Sequence, residues 1–456
     1  MPEPLESLFS TKEMSKVFSS EELVRSLLAF EAGLARAQAR LGIIPDAASE
    51  SIQAKCDVEL FDVASLFSEA ARSGTPVIPL IAKLNELVGD EAQKYVHWGA
   101  TSQDAMDSAF MLQINAGLSL LADELEAVCG RCAELAERHK RTVMAGRTLL
   151  QQAVPITFGL KAARWLSMVQ RRSLSLHELR GRATAVQLGG AAGTLAALAN
   201  RGASRAQAGQ EDLGLAVIEK LAGELGLPAP DLPWHTERDR VAEIAAQLGV
   251  VAGAMAKIAG DIVLLAQTEV AEAFEASGPG KGSSSAMPQK RNPVDAVRAV
   301  AAARLAIGEV PVILSAMAQA HERGAGDWQA EWSAIPSLFR FTACSVEAVR
   351  LSLQGLTVDP ERMVENLGRT QGQIMAESLT MALAADMGRP AAQRVVAEIC
   401  RQAEMTGKPL REIARSDARV RDRLDEGQLD RALDPATYLG STEALVERAL
   451  EKRARP

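Results

Sequence analysis

LGVVAGAMAKIAGDIVLLAQ, Leu248 to Gln267, carries only two charges, Lys257 and Asp261, and is the middle of a run from Arg240 to Phe274. Apolar residues cover more than one stripe of this helical pattern, so the helix must be buried on most faces. Ala252, Gly253, Ala254, Ala256, Ala259 and Gly260 add little bulk and let neighbouring helices approach closely. A second run, Ala109 to His139, places Leu, Ile, Val and Ala at three- and four-residue spacing with acids and Arg between them. Aromatics are 4% of the residues, and Val/Ile/Thr runs of period two are missing, so strand signals are weak. The fold class read from this is all-α, with several helices of roughly 25–35 residues, ~40–50 Å each. One chain holds too little material to cover such helices all round, which predicts a homo-oligomer.

The chain has 456 residues, enough for two or three domains. Composition shifts divide it into a short-helical region, residues 1–106, a long-helix region, 107–354, and a charged short-helical region, 355–456. A formal charge of −8 argues against nucleic acid and anionic membrane surfaces as partners. An anionic ligand must therefore be held by a local cationic site. No stretch reads as long and uncharged enough to span a bilayer. MPEPLESLFS lacks a basic head and an apolar signal region, so a cytoplasmic location is expected. Five cysteines are too scattered for a disulfide framework, and the Cys129/Cys132 pair lies mid-helix and reads as core packing. His321-Glu322 has no second His at zincin spacing, and no Gly-x-Gly-x-x-Gly follows a strand. No metal and no nucleotide cofactor is expected.

Beyond the apolar run lies SGPGKGSSSAMPQKRNP, Ser277 to Pro293, the one long glycine- and serine-rich loop of the chain. Glycine and serine also make linkers. A loop this long inside a compact domain is uncommon, however, and a linker has no use for Met287-Pro288 just before a cationic helix start. Asn292 reads as an N-cap, Pro293 as the first helical position and Asp295 as a capping-box acid, ahead of a helix from Val294 to Ile307. Lys290 and Arg291 would then flank free helix N–H groups, a niche for a carboxylate. Ser283, Ser284 and Ser285 carry hydroxyls on backbone loosened by Gly278, Gly280 and Gly282.

Four more segments stand out. His97-Trp98-Gly99-Ala100-Thr101-Ser102-Gln103-Asp104 has a capping-box spacing at Thr101 and Asp104, which makes a helix start and equally an anion site with His97 beside it. Gly146 to Pro155, GRTLLQQAVP, reads as a turn with polar Thr148 and Gln151 among apolar neighbours. Trp234-His235-Thr236-Glu237-Arg238-Asp239-Arg240 is a charged start to the most apolar helix. His321-Glu322-Arg323, with Trp328 and Trp332, offers a cation and either an aromatic wall or plain packing.

Together, YVHWGATSQDAMD, GRTLLQQAVPITFG, WHTERDR, GKGSSSAMPQKRNP, HERGAGDWQAEW and LDPATYLG make the chain similar, nearly end to end, to the fumarase/aspartase superfamily. Within it the chain most resembles the carboxymuconate cycloisomerase branch, through TSQDAMD, WHTERDR and AEW. The resemblance implies three all-α domains, five long helices from each subunit in a twenty-helix core of a homotetramer, and active sites built from several subunits. It implies no cofactor and a small di- or tricarboxylate substrate, with 3-carboxy-cis,cis-muconate closing to its lactone in aromatic (protocatechuate) catabolism. It assigns the base to Ser284 and the carboxylate grip to Lys290 and Asn292. His97, Thr101, Ser102, Thr148, Gln151, Thr236, Arg238 and Arg323 match positions that bind substrate.

Relatives that expel amines or hydroxyls carry His where this chain has Leu149. Such leaving groups need a proton, whereas a carboxylate, with a conjugate-acid pKa of ~4, leaves without one. Leu149 therefore fits lactone chemistry better than fumarase, argininosuccinate or adenylosuccinate chemistry. Leu149-Leu150-Gln151-Gln152 stands where the branch tends to have Trp-Leu-Gln-His, and Ser283 where Gly is usual. These departures keep open a 3-sulfomuconate substrate, a β-elimination lyase of adenylosuccinate type and one expelling nitrite. A non-catalytic helical scaffold is opposed by the intact Ser284, Lys290 and Asn292.

Overall fold

The structure is a computed structural model and describes residues 5–198, 212–278, 281–283, 287 and 289–454. Six helices carry the account below: α1 (Ser20–Arg40), α2 (Ser102–Arg138), α3 (Phe158–Ala183), α4 (Asp239–Leu265), α5 (Val294–Ser315) and α6 (Asp327–Gln354). The last five are the long helices, and each contributes residues to both of two compact units. Residues 1–124, 172–256 and 298–347 make the first unit, and residues 125–171, 257–297 and 348–456 the second.

The expected helix from Ala109 begins seven residues earlier, because Asp104 accepts the Thr101 N–H at 2.9 Å and so fixes the first turn of α2. The apolar run expected to reach Phe274 ends at Leu265. Gln267 accepts the N–H groups of Val270 and Ala271, Ala271 takes a left-handed φ of 53°, and Glu272 N–H returns to Leu265 O at 2.9 Å. The helix after Pro293 starts at Val294 as read, and runs through Pro311 to Ser315.

By length and composition α4 could cross a bilayer, contrary to the sequence reading. Half of its most apolar stretch is buried within the chain, and the Lys257–Asp261 ion pair lies along it. These are the marks of a core helix as much as of a span.

The first unit has a core of Leu27, Phe30 and Leu34 from α1 with Met106 and Phe110 from α2 and Trp328 from α6. In the second, Ala145 packs with Leu379, Val396 and Leu410 of the C-terminal helices. That unit also holds strands absent from the sequence reading. β1 (Val143–Thr148) pairs antiparallel with β2 (Gln151–Thr157) around the two-residue turn Leu149-Leu150, and β3 (Ala273–Phe274) pairs with β4 (Thr357–Val358).

The start of α3 is docked by backbone on the end of α2: Phe158 N–H reaches Thr142 O and Gly159 N–H reaches His139 O, both at 2.9 Å. A Cβ on Gly159 would lie 2.4 Å from Lys140 Cα and 2.7 Å from Ala136 O, atoms that cannot give way. Gly159→Ala is expected to destabilise by about 1–3 kcal/mol, read from the denaturant midpoint.

Candidate functional site

In the first unit the site residues hang from two acids on one face of α2. Asp104 is 0% exposed and accepts four donors: Thr101 N–H (2.9 Å), Gly189 N–H (2.9 Å), Gly190 N–H (3.0 Å) and His235 Nε2 (2.7 Å). Gly189 is required at this approach, since a Cβ there would stand 2.8 Å from His235 Cε1. Thr101 and Ser102 thus sit, half-buried, at a helix N-terminus whose geometry is fixed from beneath.

One turn on, Asp107 holds both outer nitrogens of Arg238 at 2.8 and 3.0 Å and takes Trp328 Nε1–H at 3.0 Å. Glu331 of α6 takes Arg238 Nε–H at 3.1 Å and closes a second contact on Nη2. Burial works against the charge of Arg238, but the two carboxylates outweigh it and hold the guanidinium above its ordinary range. The Arg238 guanidinium is therefore spent on the protein's own carboxylates. Thr236 stands half-buried between the buried His235 and Arg238.

Gln103 joins the pieces. Its amide donates to Asp107 (3.1 Å) and to His235 O (2.7 Å), and its oxygen accepts Arg323 Nη1–H at 3.0 Å. Arg323 also donates to Ala191 O at 2.8 Å. His97 has a left-handed φ of 55°, and its Nδ1 lies 2.6 Å from Glu31 Oε1.

In the second unit Thr148 and Gln151 are paired, exposed residues at the end of the β1–β2 hairpin. The turn between them is unusual. Leu149 and Leu150 have φ of 50° and 65° and are 95% and 78% exposed, where Asn-Gly would be free of strain. The hairpin is anchored below its tip. Arg147 makes two contacts of 2.8 and 2.7 Å with the buried Glu272, and Asn366 Nδ2 donates to the same carboxylate at 2.8 Å. Gln152 Nε2 donates to Asn366 O at 2.7 Å, so this departure from the branch is a tie of the fold.

The polar loop forms a cavity of about 240 Å³ lined by Lys281, Ser283, Lys290, Arg291 and Asn292 among others. Asn292 N–H donates to Gly282 O at 2.9 Å, and Gly282 (φ 71°) has no room for a Cβ, which would meet Asn292 O at 2.8 Å. Ser284 lies outside the described residues. The helix N–H groups expected to be free are taken, because Glu275 accepts Asp295 N–H at 3.1 Å and Ala296 N–H at 2.7 Å. Asp295 pairs with Lys281 at 2.6 Å. A second carboxylate at this helix end would have to compete with Glu275, so the grip on an anion falls to the loop cations.

The structure brings Lys290 and Asn292 to one cavity and Thr148 and Gln151 to one hairpin tip, and it ties half-buried Thr101 to Asp104 and half-buried Arg323 to Gln103, with Ser102 and Thr236 as half-buried neighbours of these buried contacts. Sequence reading missed Glu31, Asp107, Glu331, Glu272 and Glu275. Only the spacing of Asp104 and Asp107, two acids three apart at an apolar helix start, could have pointed to an inward acidic face. Cys129 and Cys132 are buried, and burial pushes the Cys129 thiol up to about 12. Among the described residues no group of three or more His, Cys, Asp or Glu could hold a metal ion.

The lyase family matches residues 6–308, and the family described as adenylosuccinate lyase C-terminus matches residues 372–449. The chain is 45% identical to the 3-carboxy-cis,cis-muconate cycloisomerase of Pseudomonas aeruginosa, over 98% of this chain and 95% of that protein. Identity to the 3-carboxy-cis,cis-muconate cycloisomerase of Bradyrhizobium diazoefficiens is 42%, over 99% and 98%. The crystal structure of 3-carboxy-cis,cis-muconate lactonizing enzyme from Pseudomonas putida has a TM-score of 0.91 at 38% identity and covers 99% of both chains.

Asp107→Ala would leave Arg238 buried against Glu331 alone and strip Trp328 of its acceptor. A loss of about 3–5 kcal/mol in unfolding free energy is expected by denaturant titration, whatever the activity.

Proposed function

The chain belongs to the lyase family, with a C-terminal region of adenylosuccinate lyase type, and from that membership we propose a lactonising cycloisomerase acting on 3-carboxy-cis,cis-muconate. The observation that carries the reading is the Leu149-Leu150 tip. Its neighbours Thr148 and Gln151 match substrate-binding positions, and its own side chains offer no proton to a departing group. A carboxylate departs, or in reverse attacks, without one.

In the ring-closing direction a substrate carboxylate oxygen bonds to the far carbon of a conjugated double bond. The electron pair moves onto the carbon next to the other carboxylate, as an enediolate-like dianion. Lys290 and Asn292 donate to that carboxylate, where charge has grown. Ser284 then gives its proton to the carbon, and the alkoxide left behind is tolerated because Lys281, Lys290 and Arg291 surround the loop. Run backwards, the same alkoxide is the base and the lactone carboxylate is the leaving group. His97, Thr101, Ser102, Thr148, Gln151, Thr236 and Arg323 bind the remaining carboxylates. Arg238 has a different part in this scheme: held by Asp107 and Glu331, it steadies the segment that carries Thr236 rather than touching substrate.

Three sequential helical regions, bounded near residues 106 and 354, belong to the same reading, as do a cytoplasmic location and a homotetramer sharing residues between subunits. Exposed Val297, Leu305, Ile307, Val312 and Leu314 along α5 support assembly, since so many apolar side chains on one long helix favour a partner surface. Light scattering should give a mass about four times the 48.6 kDa chain, and Leu305→Glu should lower it.

Purified protein offered 3-carboxymuconate, 3-sulfomuconate and adenylosuccinate separates the alternatives. Loss of diene absorbance with the first is the expected result, and fumarate released from adenylosuccinate with the dienes untouched would overturn it. Ser284→Ala should lower kcat by about 10²–10⁴-fold with the oligomer intact. A fully active mutant would place the base elsewhere.

A further inference from the structure

We propose that Glu31 is a positioning residue for this reaction: it holds His97 by Nδ1 so that Nε2 presents a proton to an anionic group of the substrate. The proposal rests on the functional reading above.

Glu31 lies on α1 and is 2% exposed, with Oε1 2.6 Å from His97 Nδ1 and Oε2 without a hydrogen-bond partner. A buried carboxylate with one orphaned oxygen is costly, and a neutral imidazole compensates little of that cost. An imidazolium compensates much more. The segment around His97 is held to α1 a second time, by Gln38 Nε2 donating to Trp98 O at 2.7 Å. At the first tie the backbone takes a left-handed φ at His97 (55°), a strained conformation for a residue with a side chain, and just past the second it turns through Gly99 (75°) toward Thr101 and Ser102.

The direction of the pair decides what His97 can do. With Nδ1 turned to Glu31, a neutral ring keeps its proton there and leaves a bare lone pair on Nε2. Only the charged ring donates from Nε2. Glu31 and Asp104 are the charged groups facing His97, and Cys56 lies in the field of Glu31 and Arg36. Burial works against the imidazolium, but Glu31, through its charge and hydrogen bond, and Asp104 outweigh it, so the His97 pKa is raised. The Nε2 donor consequently persists to a higher pH than an unassisted histidine would allow.

Glu31→Gln keeps an acceptor for Nδ1–H and leaves the Gln38 tie in place, but removes the charge. KM for carboxymuconate is expected to rise about tenfold at pH 8, the loss of one charge-assisted hydrogen bond, and to return toward the wild-type value at pH 6, with kcat within about twofold. Glu31→Asp should recover part of the loss. In ¹⁵N-histidine spectra, His97 is identified among the five histidines by His97→Asn. It should titrate above the ordinary histidine range in wild type and below it in Glu31→Gln. Superimposable KM–pH profiles for wild type and Glu31→Gln, or a wild-type His97 titrating at its ordinary value, would overturn the role. Wild-type protein that leaves carboxymuconate untouched instead sinks the functional reading, and this role with it.

Discussion

The first unit is organised around a carboxylate with no access to water. Asp104 collects three backbone N–H groups and one imidazole, so its charge is met by donors from its own helix start and from two remote stretches of chain. Such a group tolerates little displacement, because each lost donor leaves a buried charge poorly solvated. Asp107, on the same face one turn on, adds Arg238 and Trp328, and through Arg238 reaches Glu331. The backbone that carries Thr101, Ser102 and Thr236 is thereby flanked by buried ionic contacts, while these three residues are themselves half-buried. Rigid support beneath and polar atoms above is what a site for a multiply charged ligand requires.

The second unit solves a related problem differently. Its loop cations gather around one cavity, and its helix end is already neutralised by Glu275. Glu275 therefore cancels some of the positive field that the loop would otherwise present. Lys290 and Asn292 line that same cavity.

The long helices were legible because burial demands continuous apolar faces, and α4 announces this by its lack of charge. Its end was not legible, since Gln267 to Ala271 carries no Gly or Pro, and the reversal is made by an alanine in left-handed backbone. Gly146 to Pro155 was readable as a turn, but the strands on either side of it were not, because Leu149-Leu150 has none of the chemistry of a tight hairpin. Motif residues around the loop and the helix starts were readable, but their partners were not. Arg238 reads as a cation at a helix start, and its pairing with Glu331, 93 positions away, has no signal in the sequence. Glu31 stands 66 positions before His97, with nothing in its neighbourhood to mark it.

The leucine turn has an evolutionary consequence. Arg147, Glu272, Gln152 and Asn366 tie the hairpin one residue pair below its tip, and none of these contacts involves Leu149 or Leu150. Exchanging Leu149 for a protic residue would place a proton donor at the crest while leaving these ties in place, and on the proposed reading that is what selects the group expelled. Descendants of such a chain could move between lactone closure and amine or alcohol elimination by one codon change, with architecture and chemistry inherited separately.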